Sequence, residues 1–106
     1  MKFPKKITIG GQDIEVREVE QIDSKLGRTS LAGGYIEIAN SFSGKQQSQT
    51  SKENTYWHEV IHCILDTMGE NELSLNEKFV SSFAGFLTEC YRSMERDKNE
   101  TNRKQD

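Results

Sequence analysis

Tyr56-Trp57-His58-Glu59-Val60-Ile61-His62-Cys63-Ile64-Leu65 lies near the middle of the chain and sets how the rest is read. From Lys52 to Met68 the apolar residues Trp57, Ile61, Ile64, Leu65 and Met68 recur at helical spacing, and Gly69 follows as a stop signal. The segment is therefore expected to be a helix, with Thr50 or Ser51 as its N-cap. At about 100° per residue, His58 and His62 fall one turn apart at the edge of the apolar stripe, near Leu65. Two imidazoles so placed can share one metal ion, and Glu59 between them stands beside it as a general base. The chain has 2 histidines, and both fall inside this pattern. So short a pattern also arises by chance, as two polar helix residues flanking an exposed Glu, so its surroundings must decide.

On the N-terminal side, Lys6 to Val19 reads as a hairpin, with Ile7 and Ile9 alternating before Gly10-Gly11 and Ile14 and Val16 after it. Gln21 to Gly34 carries Asp23, Ser24, Gly27, Ser30, Gly33 and Gly34 without a period, which reads as a loop. Tyr35 to Asn40 alternates as a third strand, Ile36 and Ile38 to one side, and its polar side suits a sheet edge. Ser41 to Ser51, rich in Ser and Gln, has no apolar repeat and reads as a mobile connection. On the C-terminal side a second helix starts after Ser74. Phe79, Val80, Phe83, Phe86, Leu87, Cys90, Tyr91 and Met94 form one broad apolar face expected to pack on the first helix. Residues 1–95 then make one domain of α+β class, a small antiparallel sheet of about three strands on two main helices, and 96–106 make a polar, disordered tail.

Length and charge bound the function. At 106 residues the chain suits a single small domain, to which a bound metal would add stability. With 14 basic against 17 acidic residues spread along the chain, the net charge of -3 argues against a nucleic-acid partner. No stretch is apolar enough for a signal peptide or a membrane span, so the expected compartment is the cytoplasm. Cys63 and Cys90, both on expected apolar helices, then read as buried free thiols and not as a disulfide.

A catalytic zinc ion usually takes three protein ligands and leaves the fourth position to water. Leu65 and Met68 stand where the longer H-E-x-x-H-x-x-G-x-x-H pattern has Gly and its third His, which excludes that class. Cys63 points roughly away from the two rings, leaving the carboxylates Asp66, Glu70, Glu72 and Glu77. Asp66 continues the His58 and His62 row, but too far along the axis at about 1.5 Å per residue. Glu70 and Glu72 sit in the turn, where solvated charge is the ordinary reading. Glu77 opens the second helix and can approach the histidines from across the groove. Equally, Ser74-Leu75-Asn76-Glu77 fits the S-x-x-E capping box, in which the Glu reaches back to the cap amide.

Tyr56 to His62, together with Asn76-Glu77-Lys78-Phe79-Val80-Ser81-Ser82-Phe83-Ala84-Gly85-Phe86-Leu87, resembles the ImmA/IrrE-type metallopeptidases. These are gluzincins often encoded by phages and mobile elements. Their H-E-x-x-H is followed by a helix reading approximately E-x-E-A-N-x-F-A, whose first Glu is the third zinc ligand. Phe83-Ala84 matches the F-A pair and places Glu77 on the ligand position, while Phe79, Val80 and Ser81 depart from the pattern. The likeness covers roughly the C-terminal half, and Tyr35 to Asn40 looks like the family's active-site strand. It implies a minimal zincin-like domain holding Zn2+ through His58, His62 and Glu77, with Glu59 activating a zinc-bound water to cleave a protein substrate such as a transcriptional repressor.

Under that expectation, Tyr35 to Asn40 would bind an extended substrate by strand addition. Tyr35 and Arg28 are conceivable oxyanion donors, whereas Tyr91 lies about 21 Å along the helix from Glu77 and reads as core. Two other readings compete. One is a metal-stabilised, non-catalytic protein that antagonises a host or phage regulator by occlusion; the other is a helical interaction domain with an accidental motif.

Overall fold

The computed structural model describes the backbone of residues 1–105 and the side chains of residues 1–100. Strands β1 (Lys6–Ile9) and β2 (Gln12–Val19) form the expected hairpin, Ile7 opposite Ile14. The Gly10-Gly11 turn needs left-handed backbone at both positions, φ 60° and 80°, which glycine adopts without steric cost. Two more strands follow, β3 (Gly27–Ser30) and β4 (Tyr35–Ala39), and the sheet order is β1-β2-β4-β3. A small hairpin, β5 (Ser41–Phe42) with β6 (Lys45–Gln46), precedes helices α1 (Gln49–Met68), α2 (Asn71–Ser74) and α3 (Glu77–Gln105). The chain is thus of mixed α+β class.

The sheet differs from the sequence expectation in two connected ways. It has four strands, because the segment read as a loop contributes β3, and it is mixed, because β4 runs parallel to β2 with Val16 beside Ile36. Gly27-Arg28-Thr29-Ser30 has no apolar alternation, so the only signal that distinguishes a half-buried strand from a loop is missing. Once β3 runs antiparallel to β4 on its far side, β4 is enclosed and is no edge strand: Glu37 and Ala39 are buried along with Ile36 and Ile38. The edges are β1 and β3.

Helix α1 is the middle layer. Toward the sheet, Tyr56, Val60 and Cys63 pack with Ile14, Ile36 and Ile38, and each of those fully buried isoleucines contributes about 2 kcal/mol through burial. Toward α3, Ile61 and Leu65 meet Val80 and Ala84. The helix begins earlier than its apolar pattern, since the Ser48 hydroxyl, and not Thr50 or Ser51, accepts the Ser51 N–H at 3.1 Å. Gly69 ends it in the left-handed conformation, φ 80°.

Helix α3 departs from expectation at both its surface and its end. Val80 and Ala84 are buried, but Phe83, Phe86, Cys90 and Met94 are exposed, so the apolar face is wider than the surface α1 covers. The polar segment from residue 96, read as a disordered tail, continues as helix to Gln105, and Asp106 lies outside the described residues. Polarity alone does not stop a helix: Arg96, Lys98 and Glu100 are good helix formers, and no Gly or Pro follows Gly85. Among the described residues, no helix is long and apolar enough to cross a membrane.

Candidate metal centre

Helical geometry brings the two imidazoles together. His58 and His62 project from successive turns of α1 with ring centroids 4.8 Å apart, and their Nε2 atoms approach to 3.1 Å. The short α2 turn then returns the chain so that Glu77, the first residue of α3, faces them across a groove. Its carboxylate oxygens lie 3.2 Å from His58 Nε2 and 3.4 Å from His62 Nε2. Three lone-pair-bearing groups converging on one point require a cation or proton between them. The two Glu77 distances are to different oxygens, and with one ligand atom from each residue the three lie within 4.8 Å of one another, against about 3.4 Å between the ligand atoms of a tetrahedral ion with bonds of about 2.0–2.1 Å.

Around the triangle, hydrogen bonds distinguish the two roles that the sequence allowed for Glu77. Ser74, the residue that would head a capping box, is buried, with its hydroxyl 2.9 Å from His62 Nδ1. The cap of α3 is instead Asn76, whose Oδ1 accepts the Phe79 N–H at 3.1 Å. Glu77 is thereby free of capping and turned toward the histidines. In the tautomer that presents the His62 Nε2 lone pair to the groove, Nδ1–H donates to Ser74, an outer contact of the kind that orients metal-binding imidazoles. Among the described residues the group able to hold a metal ion is His58, His62 and Glu77. Asp66 lines the same cleft without joining that group, and Glu70 and Glu72 are exposed around the turn.

Glu59 is 8% exposed, and its Oε1 accepts a 2.5 Å hydrogen bond from the Thr29 hydroxyl on β3. That contact depends on how closely the strand lies against the helix. A Cβ built on Gly27 would stand 2.5 Å from Thr55 Cγ2, 3.1 Å from the Glu37 carbonyl oxygen and 3.2 Å from Glu59 Cγ. Any larger residue would push β3 away from α1. Nothing in the sequence pattern flagged Gly27 or Thr29, since they matter through a contact between distant segments; Ser74 was visible, but in a different role.

The cleft between β3, α1 and α3 has a volume of about 850 Å³. Glu59, Asp66 and Glu77 line it, and so does Lys25. Arg28 lines it too, but its Nε donates to Glu37 at 2.6 Å, and that bond holds its pKa above the ordinary value. Tyr35 lies under the Arg17 guanidinium, 4.4 Å from the ring centre, and Tyr91 packs beside Trp57. Of the residues considered as oxyanion donors, Arg28 alone faces the cleft. Both cysteines are free, but only Cys63 is buried, its thiol pushed up to about 11 by burial and by the Glu59 and Asp66 charges, whereas Cys90 is exposed. No protein-family model matches the chain, and neither a curated protein nor a solved structure matches it.

Proposed function

We propose that this chain is a small cytoplasmic zinc endopeptidase of ImmA/IrrE type, acting on a specific protein substrate such as a transcriptional repressor. The observation that carries the reading is the His58, His62 and Glu77 triangle with the buried carboxylate of Glu59 beside it. Two imidazoles and one carboxylate are a catalytic-zinc donor set. When bound, zinc supplies a Lewis acid that acidifies water and polarises a carbonyl.

The chain's own residues do the remainder. Glu59 takes a proton from the attacking water and returns it to the leaving amine, a transfer worth roughly 10²- to 10⁴-fold in rate. The Thr29 hydroxyl fixes one Glu59 oxygen, leaving the other to meet the water. An extended peptide pairing with the outer edge of β3 would pass beside both groups, taking the place first assigned to the enclosed β4. The free thiols of Cys63 and Cys90 suit a reducing compartment.

Arg28 bears on the competing reading. Its guanidinium is engaged by Glu37, which weighs toward a metal-stabilised protein acting by occlusion, whereas Lys25 also lines the cleft and has no ion-pair partner among the described residues. Elemental analysis and a peptide-library digest read by mass spectrometry separate the possibilities. The peptidase reading expects one zinc per chain, lost in Glu77→Ala, and cleavage lost in Glu59→Gln with zinc retained. Stoichiometric zinc without any cleavage by the wild type would support occlusion. Substoichiometric metal in the wild type would leave both readings without their centre.

A further inference from the structure

An unpartnered apolar surface lies on α3 and the adjoining face of α1. Phe86 is 71% exposed, Met68 66%, Phe83 46% and Ile64 41%. On a helical projection Phe79, Phe83 and Phe86 fall within one narrow stripe, beside the face that packs on α1. A groove of about 260 Å³ opens between the helices, walled solely by apolar residues that include Ile64, Met68 and Phe83. Phe86 stands outside it and, with Phe79, Ser82 and Phe83, lines a second depression on α3. One surface therefore carries both a concave apolar site and a projecting aromatic ring.

We propose that this surface is the interface of a homodimer in which two α3 helices pack antiparallel about a two-fold axis beside Phe83. A two-fold contact must be self-complementary, which the depression lined by Phe79 and Ser82, with Phe86 at its side, satisfies. With the axis there, Phe86 of each copy lies over Phe79 and Ser82 of the other. The charges flanking the stripe match in the same register: Lys78 of each copy falls level with Glu89 of the other, twice by symmetry. Both are exposed, and neither has an ion-pair partner among the described residues.

The area is also of the right order. Side chains of this size offer roughly 200 Å² each when fully open, so Phe86, Met68, Phe83 and Ile64 expose roughly 400 Å² of apolar surface. That is about half of the roughly 800 Å² per partner of a standard interface, close to the apolar share such interfaces carry. Glu77 and Ser81 point to the cleft from the other side of α3, about 160° to 200° from Phe79. The dimer therefore leaves both clefts open and does not depend on the peptidase reading.

Sedimentation equilibrium of the full chain up to its solubility limit tests the proposal. The expected result is a species of twice the 12.1 kDa chain mass, shifted to the monomer in Phe86→Glu with an unchanged circular dichroism spectrum and unchanged metal content. Lys78→Glu, which turns two exposed ion pairs into like-charge contacts, should weaken the dimer about tenfold, and the double variant Lys78→Glu with Glu89→Lys should restore it. These surface changes keep the test valid if Phe86→Glu misfolds. A wild type that stays at the monomer mass overturns the proposal, as does a dimer indifferent to Phe86→Glu. A dimer for which the charge swap gives no rescue overturns the antiparallel register.

Discussion

Helix α1 buries two carboxylates, and they are treated oppositely. Glu53, 1% exposed, meets the Arg92 guanidinium at 3.2 Å and the Met1 amino group at 3.2 Å. Glu59, less than two turns further on and 8% exposed, meets the neutral hydroxyl of Thr29. Among the described residues no Lys, Arg or amino group pairs with it. Burying a charge is costly unless something of opposite sign accompanies it. The fold itself supplies that partner at Glu53. At Glu59 it supplies a hydrogen bond and, beside it, three groups able to hold a cation, so the proposed metal ion would bring the positive charge that the fold itself does not pair with Glu59.

Neutralising each carboxylate in turn is the strongest way to break this contrast. Glu59→Gln preserves the shape and can still accept from Thr29, so folding and metal content should stay as in the wild type while cleavage falls about 10²- to 10⁴-fold. Glu53→Gln should leave cleavage per folded molecule unchanged. Comparable losses of cleavage in both variants would mean that the two carboxylates are not functionally distinct.

The converse appears in stability. Glu53→Ala removes a buried side chain, leaves Arg92 without its partner and leaves the Met1 amine with Glu95 alone, at 3.5 Å. The expected loss is about 2–3 kcal/mol, below the full 3–5 kcal/mol of a broken buried pair because Arg92 is 46% exposed and regains water. Urea unfolding measures this, with metal stoichiometry expected to remain intact. A Glu53→Ala protein as stable as the wild type would remove the structural half of the contrast.

Thr29 offers a smaller and more specific probe. Thr29→Val keeps the branched shape demanded by the packing of β3 on α1 but cannot donate to Glu59. Cleavage should fall about tenfold, the order expected from a lost hydrogen bond of about 1.4 kcal/mol. Zinc content should not change, and Thr29→Ser should recover most of the rate. Failure of Ser to rescue would show that the methyl group, and hence packing, was what mattered.

These residues also mark what the sequence made legible. His58, Glu59 and His62 stood out because helical period and ligand spacing are both local, and the α1 and α3 periods carried the α+β class. Thr29 and Gly27 left no trace, since a strand of Gly, Arg, Thr and Ser has no apolar alternation and acquires its place by pairing with β4. The same omission made β4 look like an edge. On α3 the apolar period identified the helix but not which residues α1 would cover, because period reports amphipathicity and not the width of the partner surface.

Asn76 and Glu77 give the finest comparison, as adjacent residues at one helix start that sequence alone left sharing a single pattern. Asn76 Oδ1 accepts the Phe79 N–H, while the Glu77 oxygens face His58 and His62. Asn76→Ala should therefore cost about 1 kcal/mol of stability, the usual value of an N-cap, and leave zinc bound. Glu77, 65% exposed on its side chain, contributes little to packing, so Glu77→Ala should barely move the unfolding midpoint of the metal-free protein while removing zinc from the holoprotein. The midpoints must be compared with chelator present, because an ion that binds only the folded state adds its own stabilisation. If Glu77→Ala instead destabilises the metal-free chain as much as Asn76→Ala does, the carboxylate is serving the helix start, and the third donor must be sought elsewhere in the cleft, which Asp66 also lines.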